Sequence, residues 1–134
     1  MKNLLLLLAA STVLITSCKK DCSQWSENDG NDCVEMREKF IGTWSGIFTG
    51  TGQPVFGSPG STYLLNNNDG ENTLTMDGNI NVVVTSSTAA EITLQNYNGG
   101  TIHGSIYCNG TNITIDMDAA NGTNSGHIHF EGTK

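Results

Sequence analysis

The stretch FIGTWSGIFTG, residues 40–50, decides the fold of this chain because it has the pattern of a first β-strand. Successive side chains of a strand point to opposite faces, so its two large aromatic residues, Trp44 and Phe48, fall on the same side. Gly42 and Gly46 share that side, and we expect them to leave room for Trp44 to lie across neighbouring strands. The opposite face carries Thr43, Ser45, Ile47 and Thr49.

Beyond residue 50 the chain repeats short alternating segments, separated by turns rich in Gly, Asn and Asp. Asp77-Gly78 has the hairpin-turn signature, whereas the prolines and glycines of residues 54–60 predict a loose loop. The eight predicted strands are 40–50, 62–65, 73–76, 80–85, 91–97, 101–108, 112–117 and 127–131. No helical periodicity follows residue 40. The pattern therefore predicts an all-β fold, a single small up-and-down antiparallel meander or barrel of about eight strands.

The N-terminus has the pattern of a secretory signal, with one lysine, an apolar run over residues 4–15 and small residues before Cys18. As a signal helix, the run is too short to span a hydrocarbon core of ~30 Å. The sequence Ile15-Thr16-Ser17-Cys18 resembles the lipobox of bacterial lipoproteins. That resemblance implies removal of residues 1–17 and acylation of Cys18. Membrane lipid would then be a partner, and the protein would be lipid-anchored at the outer membrane, on the periplasmic face or the cell surface.

Residues 18–39 are interpreted as a lipid-anchored polar tether, and residues 40–134 as the barrel domain. Residues 19–32 are polar and turn-rich, which favours a flexible spacer. Asp32 and Glu35 have the spacing of a capping box, with Asp32 as the N-cap. We therefore expect one or two helical turns before Phe40, which would seat Phe40 against one end of the sheet.

Three cysteines remain once Cys18 is assigned to lipid, an odd number for an oxidising compartment. The favoured disulfide joins Cys22 and Cys33, which closes a loop of about a dozen residues and stabilises by roughly 3 kcal/mol in the chain-entropy model. Cys108 would then be a buried free thiol, because it shares a face with Ile106. A Cys33–Cys108 bond, which would staple the tether to the sheet, stays open.

The charge balance excludes one class of partner. The chain has a formal net charge of −7, and from residue 40 onward Lys134 is the only basic side chain besides histidine against seven carboxylates. Such a surface repels polyanions, so nucleic acid is excluded. Nothing groups a nucleophile with a base, and the inward positions offer no paired carboxylates. We therefore predict a non-enzymatic protein with no catalytic residues and no cofactor.

Histidines cluster near the end of the chain. His127 and His129 leave the same face of the last predicted strand ~7 Å apart. In a meander, Asp116 and Asp118 lie on the strand beside them, and His103 on the strand beyond. Two imidazoles with one or two carboxylates suit zinc or copper. The simpler interpretation is the polar exterior that every such sheet needs, and we assign no metal ligand.

The Gly42-Thr43-Trp44 sequence opens an eight-strand meander behind a lipoprotein signal. This arrangement resembles the lipocalin-like domains of small bacterial outer-membrane lipoproteins. In that family the tryptophan closes one barrel end and a late arginine packs over it, but this chain has no arginine after Arg37. The resemblance implies a barrel whose interior can hold one small ligand.

Two functions follow from the sequence. The first is a lipid-anchored barrel that binds a small apolar ligand, with inward-facing pocket candidates Trp44, Leu74, Val82 and Ile115; Phe48 is a further aromatic that could line such a pocket. The second is a structural or interaction protein whose barrel is filled solid and whose acidic outer face docks a protein. A cavity of several hundred Å³ favours the first function and a solid interior favours the second.

Overall fold

A computed structural model of the chain describes residues 21–30, 32–51, 57–66 and 70–134. The expected signal peptide and Cys18 lie outside the described residues. The strands and the one short 3₁₀ helix follow in chain order: β1 Ser26–Asp29, β2 Asp32–Glu35, the 3₁₀ helix Met36–Lys39, β3 Gly42–Thr51, β4 Gly57–Asn66, β5 Thr73–Met76, β6 Ile80–Val84, β7 Ala89–Tyr97, β8 Gly100–Cys108, β9 Asn112–Asn121 and β10 Asn124–Thr133.

Strands β3 to β10 form a closed barrel in which every strand is antiparallel to its neighbours. Each strand pairs with the next one in the chain, and β10 returns to pair with β3, with Phe130 opposite Phe48. The predicted fold class, all-β with up-and-down order and eight strands, is therefore confirmed. Closure pairs the first and last strands of the meander, which would be the two edge strands of an open sheet.

The period-two pattern places the apolar side chains inside. On β3, Trp44 is fully buried and Phe48 packs against the core, while Ile47 on the opposite face is 58% exposed. Gly46 has a different role from the one expected. A Cβ on Gly46 would lie 1.9 Å from the Glu131 carbonyl oxygen, so this glycine permits the close approach of β10 to β3.

Strand β4 is longer than the sequence indicated, because it begins at Gly57 and includes Pro59 and Gly60. The prediction of a loose loop is therefore wrong for residues 57–60. Residues 57–63 pair with β3, whereas β5 joins β4 at residues 64–66. With a paired neighbour on one side only, this part of β4 tolerates a proline as an edge strand does.

The segment expected to be a flexible spacer is a hairpin where the structure describes it. β1 and β2 pair antiparallel, and Cys22 and Cys33 form a disulfide, the pairing that the sequence favoured. The capping box is also wrong: Asp32 lies in β2, and the 3₁₀ helix begins four residues later with no side-chain cap on Glu35. A salt bridge of 2.6 Å between Lys39 and Glu27 ties the hairpin to the residues that enter the barrel.

The barrel end where β3 begins is plugged, and we call it the closed end. Phe40 and Trp44 are fully buried there, and the Trp44 indole N–H donates to the Phe40 carbonyl at 2.9 Å. The Lys134 ammonium lies 4.5 Å from the centre of the Trp44 ring and donates to the carbonyls of Lys39 and Ile41, each at 2.9 Å. Lys134 thus packs over the tryptophan where the family resemblance implied an arginine.

Candidate functional site

The opposite end of the barrel, which we call the open end, has a low wall on one side. β5 and β6 have four and five residues, against nine or ten in the other barrel strands. They are joined by the 77–79 turn, in which the Asp77 N–H donates to the Tyr63 carbonyl at 3.0 Å. β4 continues past Tyr63 to Gly57 toward the open end. The barrel interior is therefore accessible from the open end, over the β5–β6 turn.

A cavity of about 250 Å³ opens at this place, and we call it the cup. Its apolar wall includes Phe48, Met76, Ile80, Ile115, Met117 and Ile128. Four of these side chains are buried, whereas Phe48 and Ile128 are half-buried at the mouth. Phe48 is held by Phe130, whose ring centroid is 4.5 Å away. The two methionines can adapt the wall to ligands of different shape, because their side chains are unbranched and flexible.

Only one of the four pocket residues expected from the sequence lines the cup. Ile115 does so, whereas Trp44, Leu74 and Val82 have no exposed surface and form solid core. The alternation of apolar residues shows which face of a strand points inward, but it does not show how far along the barrel axis a side chain lies. The cavity lies farther from Trp44 than the sequence indicated, and its wall includes two methionines, Met76 and Met117, that the sequence analysis did not single out.

A second cavity, of about 290 Å³, adjoins the cup and shares Tyr97 and Ile128 with it. Small residues line this second cavity, among them Gly100, Ala119 and Gly126. A Cβ on Gly100 would lie 2.2 Å from the Ala120 carbonyl oxygen, so this position requires a glycine. The open end is therefore hollow because its inward positions change from large residues to small ones.

The cup has a polar rim at the β5–β6 turn. Asp77 and Gly78 have φ values of 50° and 83°, as the hairpin-turn signature requires. The Thr62 hydroxyl lies 3.0 and 3.1 Å from the two carboxylate oxygens of Asp77, and the Tyr63 N–H donates to the same carboxylate at 3.0 Å. Thr62 is 1% exposed, so its hydroxyl depends on this contact. These bonds hold one carboxylate beside an apolar cavity.

The expected histidine cluster forms on the outer face of β8, β9 and β10. We call it the imidazole–carboxylate ladder, because imidazoles and carboxylates alternate across the strands; its members are His103, Asp116, Asp118, His127 and His129. His127 Nδ1 lies 3.0 Å from Asp118 Oδ1, and His129 Nδ1 lies 2.6 Å from Asp116 Oδ1. His103 Nδ1 is 3.8 Å from Asp118 Oδ2.

The hydrogen bonds of the ladder shift the pKa values of three of its members. The bond to Asp118 raises the pKa of His127, and the bond to Asp116 raises the pKa of His129. The His129 contact also lowers the pKa of Asp116. Across the described ranges, no group of three or more His, Cys, Asp or Glu side chains is arranged to hold a metal ion.

Cys108 is a free thiol buried at the closed end, as the favoured pairing left it. The Gly110 N–H donates to its sulfur at 3.3 Å, and the thiol lies 3.4 Å from the Lys39 carbonyl. Burial raises the pKa of the Cys108 thiol, which disfavours the reactive thiolate. This cysteine therefore has the environment of a packing residue.

Fold and cavity together define a class of protein: a small, closed, up-and-down antiparallel barrel with one plugged end and one open apolar cup. Eight-stranded barrels of this size have an interior that side chains fill or that holds one small ligand. The sequence matches no protein-family model, and comparison with curated proteins finds no significant match. Within the residues that the structure describes, no helix has the length and apolar character needed to cross a membrane.

Proposed function

We propose that this protein is a lipid-anchored, non-enzymatic β-barrel lipoprotein of the bacterial outer membrane, and that it binds a small apolar ligand in the cup. The cup carries the proposal, because it is an apolar cavity of about 250 Å³ that reaches the interior of a closed barrel. Ligand sites are usually concave and mostly apolar with a few placed polar groups, which the rim carboxylate of Asp77 would provide.

The size of the cup limits the ligand. At ~30 Å³ per water-sized group, the cup of about 250 Å³ accepts about eight such groups. Each methylene moved from water into the cup contributes ~0.8 kcal/mol, which is about a fourfold change in Kd. Affinity in a series of straight-chain alcohols should therefore rise about fourfold per carbon and level off near eight carbons.

The alternative is a solid barrel that docks a protein through its acidic outer face. The closed half of the barrel is solid, but the cup occupies the other half. The carboxylates of Asp116 and Asp118, which would carry the docking, are already paired with His129 and His127. Ligand binding accounts for the cavity, whereas docking leaves the cavity without a role, so we favour ligand binding.

Lipid anchoring is supported by the signal pattern over residues 1–17 and by the lipobox ending at Cys18. Several acyl chains on one N-terminus make a stable anchor, at ~0.8 kcal/mol per buried CH₂. The β1–β2 hairpin leads into the barrel through the 3₁₀ helix at the closed end. An anchor ahead of this hairpin would hold the barrel by its closed end and leave the mouth of the cup free.

Binding in the cup is tested with a matched pair of substitutions. Ile128→Phe fills the mouth, whereas Ile47→Phe makes the same change on the outer face of β3, where the side chain is 58% exposed. Titration calorimetry with 1-octanol should show binding by the parent protein and by Ile47→Phe, and at least tenfold weaker binding by Ile128→Phe. Thermal unfolding checks that both variants are folded. Equal binding by both variants, or no binding by the parent, would overturn the proposal.

Anchoring is tested separately by labelling cells with an alkyne analogue of palmitate. The parent protein and Cys108→Ser should be labelled and should fractionate with the outer membrane. Cys18→Ser should lose both the label and the membrane fraction. Label that persists in Cys18→Ser, or a mature protein that keeps residues 1–17, would contradict lipid attachment at this cysteine.

A further inference from the structure

We propose that the cup selects aliphatic amines, because Asp77 at its rim is an ordered carboxylate that can receive an ammonium group. The inference deepens the proposed function, on which it rests, by naming the head group of the ligand. A small aliphatic amine would place its alkyl chain against Met76, Ile115 and Met117 and its ammonium group at Asp77. Anionic amphiphiles such as fatty acids would be rejected at the same point.

The position of the carboxylate is fixed by its neighbours. Thr62 donates its hydroxyl proton to Asp77, and the Tyr63 N–H donates to Oδ1. A carboxylate has about four acceptor sites on its two oxygens, so these donors leave sites for a ligand. Because Asp77 is already held in place, little side-chain entropy is lost when a ligand donates to it.

Charge at the open end points to a cationic ligand. None of the ion pairs among the described residues includes Asp77. From Phe40 onward the only lysine or arginine of the sequence is Lys134, which is bound over Trp44 at the closed end. An ammonium group would meet a carboxylate at the rim with no competing lysine or arginine, whereas a ligand carboxylate would meet like charge.

Two aromatic side chains line the same cavity as the carboxylate. Phe48 and Tyr97 both contribute to the cup, together with Asp77. Aromatic faces attract cations within about 6 Å of the ring centroid, because their quadrupole presents negative charge there. The mouth therefore combines a carboxylate with two aromatic rings, a combination that suits an ammonium group attached to an apolar chain.

The experiment uses three probes with the same eight-carbon chain: octylamine, 1-octanol and octanoate. Calorimetry on the parent protein at neutral pH should rank octylamine about tenfold tighter than octanol, with octanoate the weakest, because only the ammonium group pairs its own positive charge with the carboxylate. Asp77→Asn should bind octylamine about as weakly as octanol and leave octanol within twofold of the parent. Asp118→Asn, the same change on the outer face, should leave all three affinities unchanged.

Salt dependence gives a test that does not depend on the folding of any variant. Octylamine binding to the parent protein should weaken as salt is raised, while octanol binding should not weaken. If octanol and octylamine bind with equal affinity, or if Asp77→Asn keeps the preference for the amine, the inference fails while the proposed function stands. If none of the three probes binds, the proposed function fails together with the inference.

Discussion

Substitution of Lys134 by methionine should measurably loosen the closed end. The change keeps an unbranched apolar stem over the Trp44 ring but removes the ammonium group, which lies 4.5 Å from the ring centre. It also removes two hydrogen bonds of 2.9 Å to the carbonyls of Lys39 and Ile41. These contacts form part of the plug that fills the closed end, whereas the open end is hollow.

The expected loss in free energy of unfolding depends on the solvent exposure of Lys134. Cation–π contacts at exposed sites contribute about 0.5–1 kcal/mol. The released carbonyls can bond water at this exposed position, so the two hydrogen bonds together add only about 0.5–1 kcal/mol. We therefore expect Lys134→Met to lower the free energy of unfolding by about 1–2 kcal/mol, or Tm by roughly 4–10 °C for a domain of this size.

Urea unfolding followed by circular dichroism measures this change, and Lys134→Arg is its control. Arginine keeps the charge and stacks on aromatic faces, so its free energy of unfolding should stay within about 0.5 kcal/mol of the parent. A double-mutant cycle with Trp44→Phe should show that the two residues are coupled. The reasoning is refuted if Lys134→Met is as stable as the parent, or if arginine is as damaging as methionine.

Three further predictions concern other parts of the barrel. Because the pKa values of His127 and His129 are raised in the folded protein, their stabilisation is fully present below the ordinary value of 6.5 and is lost as pH rises through the higher folded values. The urea midpoint should therefore fall as pH rises above about 6.5, and it should fall less in the double variant His127→Gln, His129→Gln. Gly60→Ala would place a Cβ 2.8 Å from an aromatic ring atom of the cup and should cost about 1–3 kcal/mol in unfolding free energy, whereas Gly70→Ala has no neighbour within 3.4 Å and should cost less. The Cys108 thiol should react with a thiol reagent only as fast as the protein unfolds; rapid reaction in the native state would contradict its burial.

Much of the fold could be predicted because strand alternation is a local property. The β3 pattern identified Trp44 as an inward residue, and Asp77-Gly78 identified a hairpin turn. The short turns between most strands favoured up-and-down order, so the strand order could be predicted from the chain order. The extension of β4 through Pro59 could not be predicted, because it depends on how far β5 reaches along β4.

The site was harder to predict than the fold, because whether an inward side chain lines the cup depends on its position along the barrel axis. Val82 and Ile115 both point inward, yet only Ile115 borders the cavity. That difference arises from strand length and register, which determine how far β5 and β6 extend along the barrel axis toward the open end. The β1–β2 hairpin was missed for a related reason: its residues are polar, and a disulfide and a salt bridge hold it where apolar burial does not.

Methyl NMR on the cup methionines tests the central claim most directly. With ¹³C-methyl methionine, Met76 and Met117 report on the cup wall, whereas Met36 lies in the 3₁₀ helix at the closed end and serves as the internal reference. On titration with 1-octanol, the Met76 and Met117 signals should shift along one saturating curve with a single Kd, while the Met36 signal stays in place. Stationary cup signals at saturating octanol, or a shift of Met36 equal to theirs, would contradict a ligand site in the barrel.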